Sequence, residues 1–191
     1  MKSEHRTGPP CVIKVGGGLL TPPGGLPRLG ETLATAAGRR KLVIVPGGGP
    51  FADAVREFER RHGLSATAAH WMAILGMDQY AHALAHHIPG GRVVEDQPGI
   101  HQAWRDGAVP VLAPSRWLRA ADLLPHSWEV TSDSLAACLA GLLQAEELVL
   151  IKPKTGGAEL VDPYFDRALP AGIRWRVVSV DSATLGADLA D

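Results

Sequence analysis

Cys11-Val12-Ile13-Lys14-Val15-Gly16-Gly17-Gly18-Leu19-Leu20 decides how this chain is read. A short β-branched run that ends in consecutive glycines predicts a buried strand stopped by a turn whose backbone passes unusually close to something. Lys14 adds chemistry to that geometry. An ammonium in the middle of a run suited to burial needs an anionic partner, because an unpaired buried charge is costly. A phosphate held on the neighbouring glycine N–H groups would supply one.

The pattern recurs. Lys41-Leu-Val-Ile-Val-Pro46 reads as a second buried strand and runs into Gly47-Gly48-Gly49-Pro50. In an open parallel sheet, ligands bind beyond the carboxyl ends of the strands, so two glycine ends on neighbouring strands would face one crevice. Leu148 to Ile151 predicts another buried strand, ending at Lys152-Pro153-Lys154-Thr155-Gly156-Gly157.

Around these runs the chain alternates between strand and helix. Thr21 to Pro27 is expected as an extended loop, and Arg28 to Gly38 as a modest helix. Phe51 to His62 has an amphipathic pattern, and Ser65 can cap a long helix over Ala66 to His87. Arg92 to Val94 predicts a short strand, and Pro98 to Arg105 a helical turn. Ala108 to Ala113 predicts a strand whose Pro110 suggests an edge or a bulge. Thr131-Ser132-Asp133-Ser134 opens a further helix, Val161 to Phe165 a turn, and Ile173 to Val180 a half-exposed strand. The expected fold is α/β: one three-layer α/β/α domain over 1–191 with a largely parallel sheet, residues 1–10 flexible.

Bulk properties narrow the function classes. With 191 residues, 46% of them hydrophobic, the chain can build one substantial core. A formal net charge of -1 gives no electrostatic footprint for nucleic acid or an anionic membrane. Cys11 and Cys138 are the only cysteines and form no CxxC or Cys/His cluster, so a disulfide framework or structural zinc site has little support and a reducing cytoplasmic setting is expected. No apolar run of signal-peptide or membrane-spanning length occurs. His82, His86 and His87 include an i, i+4 pair, but no HExxH accompanies it, and no metal site is assigned.

Neither glycine cluster satisfies GxxxxGK[ST] or GxGxxG with a following acidic residue, which sets aside the P-loop and dinucleotide-binding patterns. The sequence instead resembles the amino acid kinase superfamily, which includes acetylglutamate, aspartate, carbamate and uridylate kinases. Val12 to Leu20 is similar to its Lys-x-Gly-Gly-Ser opening, Val45 to Pro50 to its second glycine loop, and Thr131 to Ala137 to its Ser/Thr-x-Asp motif at a helix start. Within the superfamily the chain looks most like the small aminomethylfuran-methyl phosphate kinases of methanofuran biosynthesis. That resemblance rests on its shortness and on Pro46 to Asp53, Gly76 to Tyr80, Ser127 to Asp133 and Asp162 to Phe165.

The resemblance implies an ATP- and Mg²⁺-dependent kinase that phosphorylates a phosphomonoester such as [5-(aminomethyl)furan-3-yl]methyl phosphate to a diphosphate. It implies that Lys14 stabilises the phosphoryl group in flight, that Gly16, Gly17 and Gly18 cradle ATP, that Gly47, Gly48 and Gly49 hold the acceptor, and that Asp133 orients the lysines. Lys152, at the end of its strand, is the candidate second cation. Asp78 and Trp128 are candidate acceptor contacts, although Trp128 has the alternative of simple packing. A homo-oligomer is also implied. The chain departs from the family in two places: Gly18 stands where serine is usual, and Pro153-Lys154-Thr155-Gly156 stands where Asp-x-Asp-Gly is usual, in a nucleotide-side region (148–191) that is short. Other acceptors, an amino acid or a nucleotide, fit the same motifs. So does a non-catalytic metabolite-binding relative.

Overall fold

In a computed structural model, residues 8–20, 25–153 and 160–189 are described. Six strands form one parallel sheet: β1 (Cys11–Val15), β2 (Leu42–Pro46), β3 (Gly91–Val94), β4 (Val109–Leu112), β5 (Glu147–Lys152) and β6 (Arg174–Ser179), in the order β3-β4-β2-β1-β5-β6. The helices are α1 (Gly25–Ala37), α2 (Gly49–His62), α3 (Ala66–His87), α4 (Gln97–Arg105), α5 (Ser115–Ala121), α6 (Ser132–Leu142), α7 (Phe165–Ala168) and α8 (Leu185–Asp188). β1 and β2 are buried along their whole length, as expected for strands covered by helices on both faces.

Side chains alternate across the sheet and sort into two cores. Val12, Leu148 and Leu150 pack with α4 and α6 residues such as Ile100, Leu135 and Leu139. Ile13, Val149 and Ile151 pack on the other face with Leu29 and Leu33 of α1 and Tyr80 and Leu84 of α3. The period of two therefore puts Lys14 on the Val12 face and Lys152 on the Leu148–Leu150 face, which is the face α6 covers.

Several boundaries differ from the sequence expectation. Helix α1 begins at Gly25, ahead of Arg28, because Pro27 falls in its first turn, where no intrahelical N–H is required. The expected turn at Pro98 to Arg105 is a full helix, α4, started by Asp96, whose carboxylate accepts the Gly99 N–H at 2.8 Å. Pro110 does not mark an edge. β4 lies between β3 and β2, and the missing N–H shows instead as a ladder to β2 with a single register pair, Ile44 opposite Val111. Lys152 is the last residue of β5, within the strand. Among the described residues, no helix is long and apolar enough to cross a membrane.

At the amino-terminal end of the sheet, Glu147 is clasped by Arg40 at 2.9 Å and Arg176 at 2.9 Å. Burial disfavours its charge, but the two guanidinium groups outweigh burial and hold the carboxyl below the usual glutamate range. Cys11 beside it is pushed up to about 12, chiefly by burial, so this thiol is inert.

Two predictions follow from the packing and from this clasp. A Cβ on Gly30 of α1 would sit 1.9 Å from the His87 carbonyl oxygen at the end of α3, so Gly30→Ala is expected to lose roughly 2 kcal/mol of stability, read as a lower urea midpoint at unchanged slope. Because the folded pKa of Glu147 is depressed, its contribution is present above the ordinary glutamate pKa and lost as pH falls toward the folded value. Glu147→Gln is therefore expected to cost roughly 2 kcal/mol at pH 7 and to flatten the acid limb of the stability–pH curve.

Candidate active site

The two glycine loops meet edge to edge. A Cβ on Gly17 would lie 2.4 Å from both Cα and N of Gly49, and one on Gly47 would lie 2.9 Å from the Gly17 nitrogen. Neither loop can carry a side chain at the contact. Gly49 also has φ of 54°, a left-handed conformation that favours glycine, as α2 begins. The Gly16 N–H donates to the Ile151 carbonyl at 2.9 Å and the Gly47 N–H to the Val15 carbonyl at 2.8 Å, extending the sheet by one bond on each side of β1. From below, the buried Tyr80 hydroxyl donates to the Gly16 carbonyl at 3.4 Å.

Lys14 and Lys152 stand on adjacent strands. Val15 pairs with Ile151 in the register, so the two lysines are offset diagonally on one face. Asp133, in the first turn of α6, bridges them: Lys14 Nζ lies 2.8 Å from Oδ1 and Lys152 Nζ 2.7 Å from Oδ2. Lys152 also donates to the Leu160 carbonyl. Burial lowers the Lys14 pKa from the ordinary lysine value, and Asp133 only partly opposes this. For Asp133, burial opposes ionisation, but the lysines outweigh it and hold the carboxyl below the aspartate range. The lysine pair and Asp133 form a charged cluster largely withdrawn from water, with the Asp162 carboxylate near enough to act on Lys14.

Asp162 fixes the start of α6, a role absent from the sequence reading, where it appeared in a turn and in a stretch resembling the family. Its Oδ2 accepts the Thr131 N–H at 3.0 Å, the Thr131 hydroxyl at 2.8 Å and the Ser134 N–H at 3.0 Å, and its Oδ1 accepts the Ser134 hydroxyl and the Tyr164 N–H at 3.1 Å. The bond to Tyr164 is an Asx turn, which Asp-Pro sequences favour, and that was the available signal.

A cavity of about 500 Å³ opens from the glycine loops between α2, α3 and the segment before α6. Gly17, Gly18, Gly48 and Gly49 line it, as do Trp128, Thr131 and Ser132. Gly16 and Gly47 instead make the backbone bonds that shape the loops. Trp128 lines the cavity and donates from Nε1 to Glu59 Oε2 at 2.5 Å. Asp78 is not at the cavity. Its Oδ1 accepts the Ser115 N–H at 3.0 Å and so caps α5, while Ile74 and Met77 are the α3 residues that face the space. Asp78 is about 100° round the helix from Met77 but only about 40° from Ile74, so its bond to Ser115, more than its helical position, keeps it at α5. His70, also in the lining, has its pKa lowered to about 4, chiefly by burial, and is neutral at pH 7. Of the segment that departs from the family, Lys154 to Gly157 lies outside the described residues.

Comparison with known proteins agrees with this geometry. The amino acid kinase family model matches residues 9–156. The [5-(aminomethyl)furan-3-yl]methyl phosphate kinase of Methanocaldococcus jannaschii is 28% identical over 170 residues, covering 89% of this chain and 74% of that protein. Among solved structures, UMP kinase from Ureaplasma parvum is similar with a TM-score of 0.70 at 15% identity, covering 92% of each chain. Uridylate kinase from Archaeoglobus fulgidus gives 0.59 at 21% identity over 76% of this chain, which spans 64% of that one. With the family model spanning both glycine loops, Lys14, Asp133 and Lys152, the chain belongs to the amino acid kinase family.

Proposed function

We propose that this protein is an ATP-dependent small-molecule kinase whose acceptor is itself a phosphomonoester, of the type of [5-(aminomethyl)furan-3-yl]methyl phosphate, and whose product is a diphosphate. One observation carries the kinase reading: a buried aspartate holding two lysines at the meeting point of two glycine loops. The acceptor class rests on the relative from M. jannaschii, together with a cavity sized for a small molecule.

Phosphoryl transfer of this kind needs positioning and positive charge more than covalent help. In this reading the first loop, through Gly17 and Gly18, faces the ATP phosphates, and the second, through Gly48 and Gly49, the acceptor phosphate, while the Gly16 and Gly47 N–H groups stay in the sheet bonds that shape the two loops. A phosphate oxygen of the acceptor attacks the γ-phosphorus in line. The new P–O bond forms as the bond to ADP breaks, and the phosphate nucleophile, already anionic, requires no base. Lys14 and Lys152 neutralise charge on the equatorial oxygens, with Asp133 fixing both ammonium groups. Mg²⁺ carried in with ATP would supply further positive charge at the phosphates.

Purified protein given Mg·ATP and this acceptor is expected to release ADP; release no faster than without acceptor would overturn the reading. Lys14→Met and Asp133→Ala then separate a working charge site from a structural one. Burial of the Lys14 ammonium is itself costly, and Asp133 keeps Lys152 when Lys14 is replaced, so Lys14→Met is expected to change stability by no more than about 1 kcal/mol. Its turnover should nevertheless fall by roughly 10²- to 10³-fold. Asp133→Ala leaves two buried ammonium groups without a counter-ion and is expected to cost about 3 kcal/mol as well as activity.

A further inference from the structure

The cavity's own lining carries one acidic and one basic side chain, Asp53 and Arg56, three residues apart on α2 and so on one face of the helix. Opposite charges at this spacing ordinarily pair. Here the Arg56 guanidinium lies instead over the Trp128 ring, 4.2 Å from its centroid, and the ring is tethered through Nε1–H to Glu59. Asp53, exposed at the cavity mouth side of α2, makes no hydrogen bond or ion pair among the described residues and is open to a ligand. Neutral His70 on the opposite wall does not compensate it.

The cavity therefore offers polar groups of two kinds. One end is lined by Gly17, Gly18, Gly48 and Gly49, whose backbone suits an anion. The middle is formed by apolar side chains such as Ala52, Ala73, Ile74 and Met77. The Asp53 carboxylate comes four residues after Gly49, a rise of about 6 Å along the helix.

We propose that Asp53 is a specificity-determining residue that selects an acceptor bearing an ammonium group at the end remote from its reacting phosphate. The inference rests on the kinase reading above and deepens it, giving the substrate class as a phosphomonoester with a primary-amine cation on a small apolar body. A nucleoside monophosphate has no such cation and gains no ion pair with this carboxylate.

The test compares [5-(aminomethyl)furan-3-yl]methyl phosphate with its hydroxymethyl counterpart, identical except for the cation, on the wild type and on Asp53→Asn. Wild-type kcat/KM is expected to favour the amine by roughly tenfold or more. Asp53→Asn should lose that preference, mainly through KM, while its kcat/KM for the hydroxymethyl compound stays within about threefold of wild type. A variant that keeps the preference overturns the proposal. Calorimetric binding of the same two compounds in the absence of ATP separates this from the kinase reading. If neither is turned over, the reaction assigned above fails, yet an amine-dependent affinity abolished by Asp53→Asn still supports the role of Asp53. Equal wild-type affinity for the two compounds, or no binding of the amine, overturns it.

Discussion

Asp133 holds two ammonium groups apart and together in a place that is nearly closed to water. Two lysines on one face of neighbouring parallel strands repel one another, and the strand register leaves them no other arrangement. The carboxylate makes that arrangement tolerable, and it can do so only if α6 delivers it over the ends of β1 and β5. Leu135 and Leu139 pack the helix onto the face that Lys14 and Lys152 share. The hydrophobic period of the strands and the helix thus sets the geometry of the charges. The site is a polar continuation of the core.

The glycine loops answer a separate constraint. Strand ends 4.7 to 4.9 Å apart would ordinarily carry side chains that splay their loops from one another. Without Cβ atoms at Gly17 and Gly49, the two backbones touch and expose N–H groups toward a common space. Tyr80 braces the first loop from the opposite core, so the Gly16 carbonyl, which also accepts the Leu19 N–H, is tied to a helix on the far face. Burial raises the Tyr80 pKa, which keeps this hydroxyl a donor.

Much of this was legible before any coordinates. Strand-then-glycine runs located β1, β2 and the crevice, and Ser65 and Thr131 located the starts of α3 and α6, where both side chains do accept cap hydrogen bonds. What failed were inferences that depend on which neighbour a residue meets. Asp78 had the right helix and the wrong neighbour, because its bond to the Ser115 N–H crosses to α5 and the α3 pattern does not say which residues meet the cavity. Pro110 had the right chemistry and the wrong place in the sheet, since a one-sided loss of hydrogen bonding is compatible with an interior strand when the next ladder is minimal. Asp162 was invisible as a capping group because its partners are 28 and 31 residues away. Asp53 and Arg56 looked like the solvated face of an amphipathic helix, and only the stacking of Arg56 on Trp128 distinguishes them from one.

The capping of α6 by Asp162 has an electrostatic corollary. A helix start normally offers unpaired N–H groups and a partial positive charge to any passing anion. At α6 that offer is already taken: the Thr131 and Ser134 N–H groups point to Asp162, the Asp133 N–H to the Thr131 hydroxyl, and a full negative charge sits on the helix axis. An anion entering the crevice accordingly meets lysine ammonium groups on the α6 side and backbone N–H groups on the glycine-loop side, beside the start of α2. One half-buried carboxylate makes the two sides chemically different.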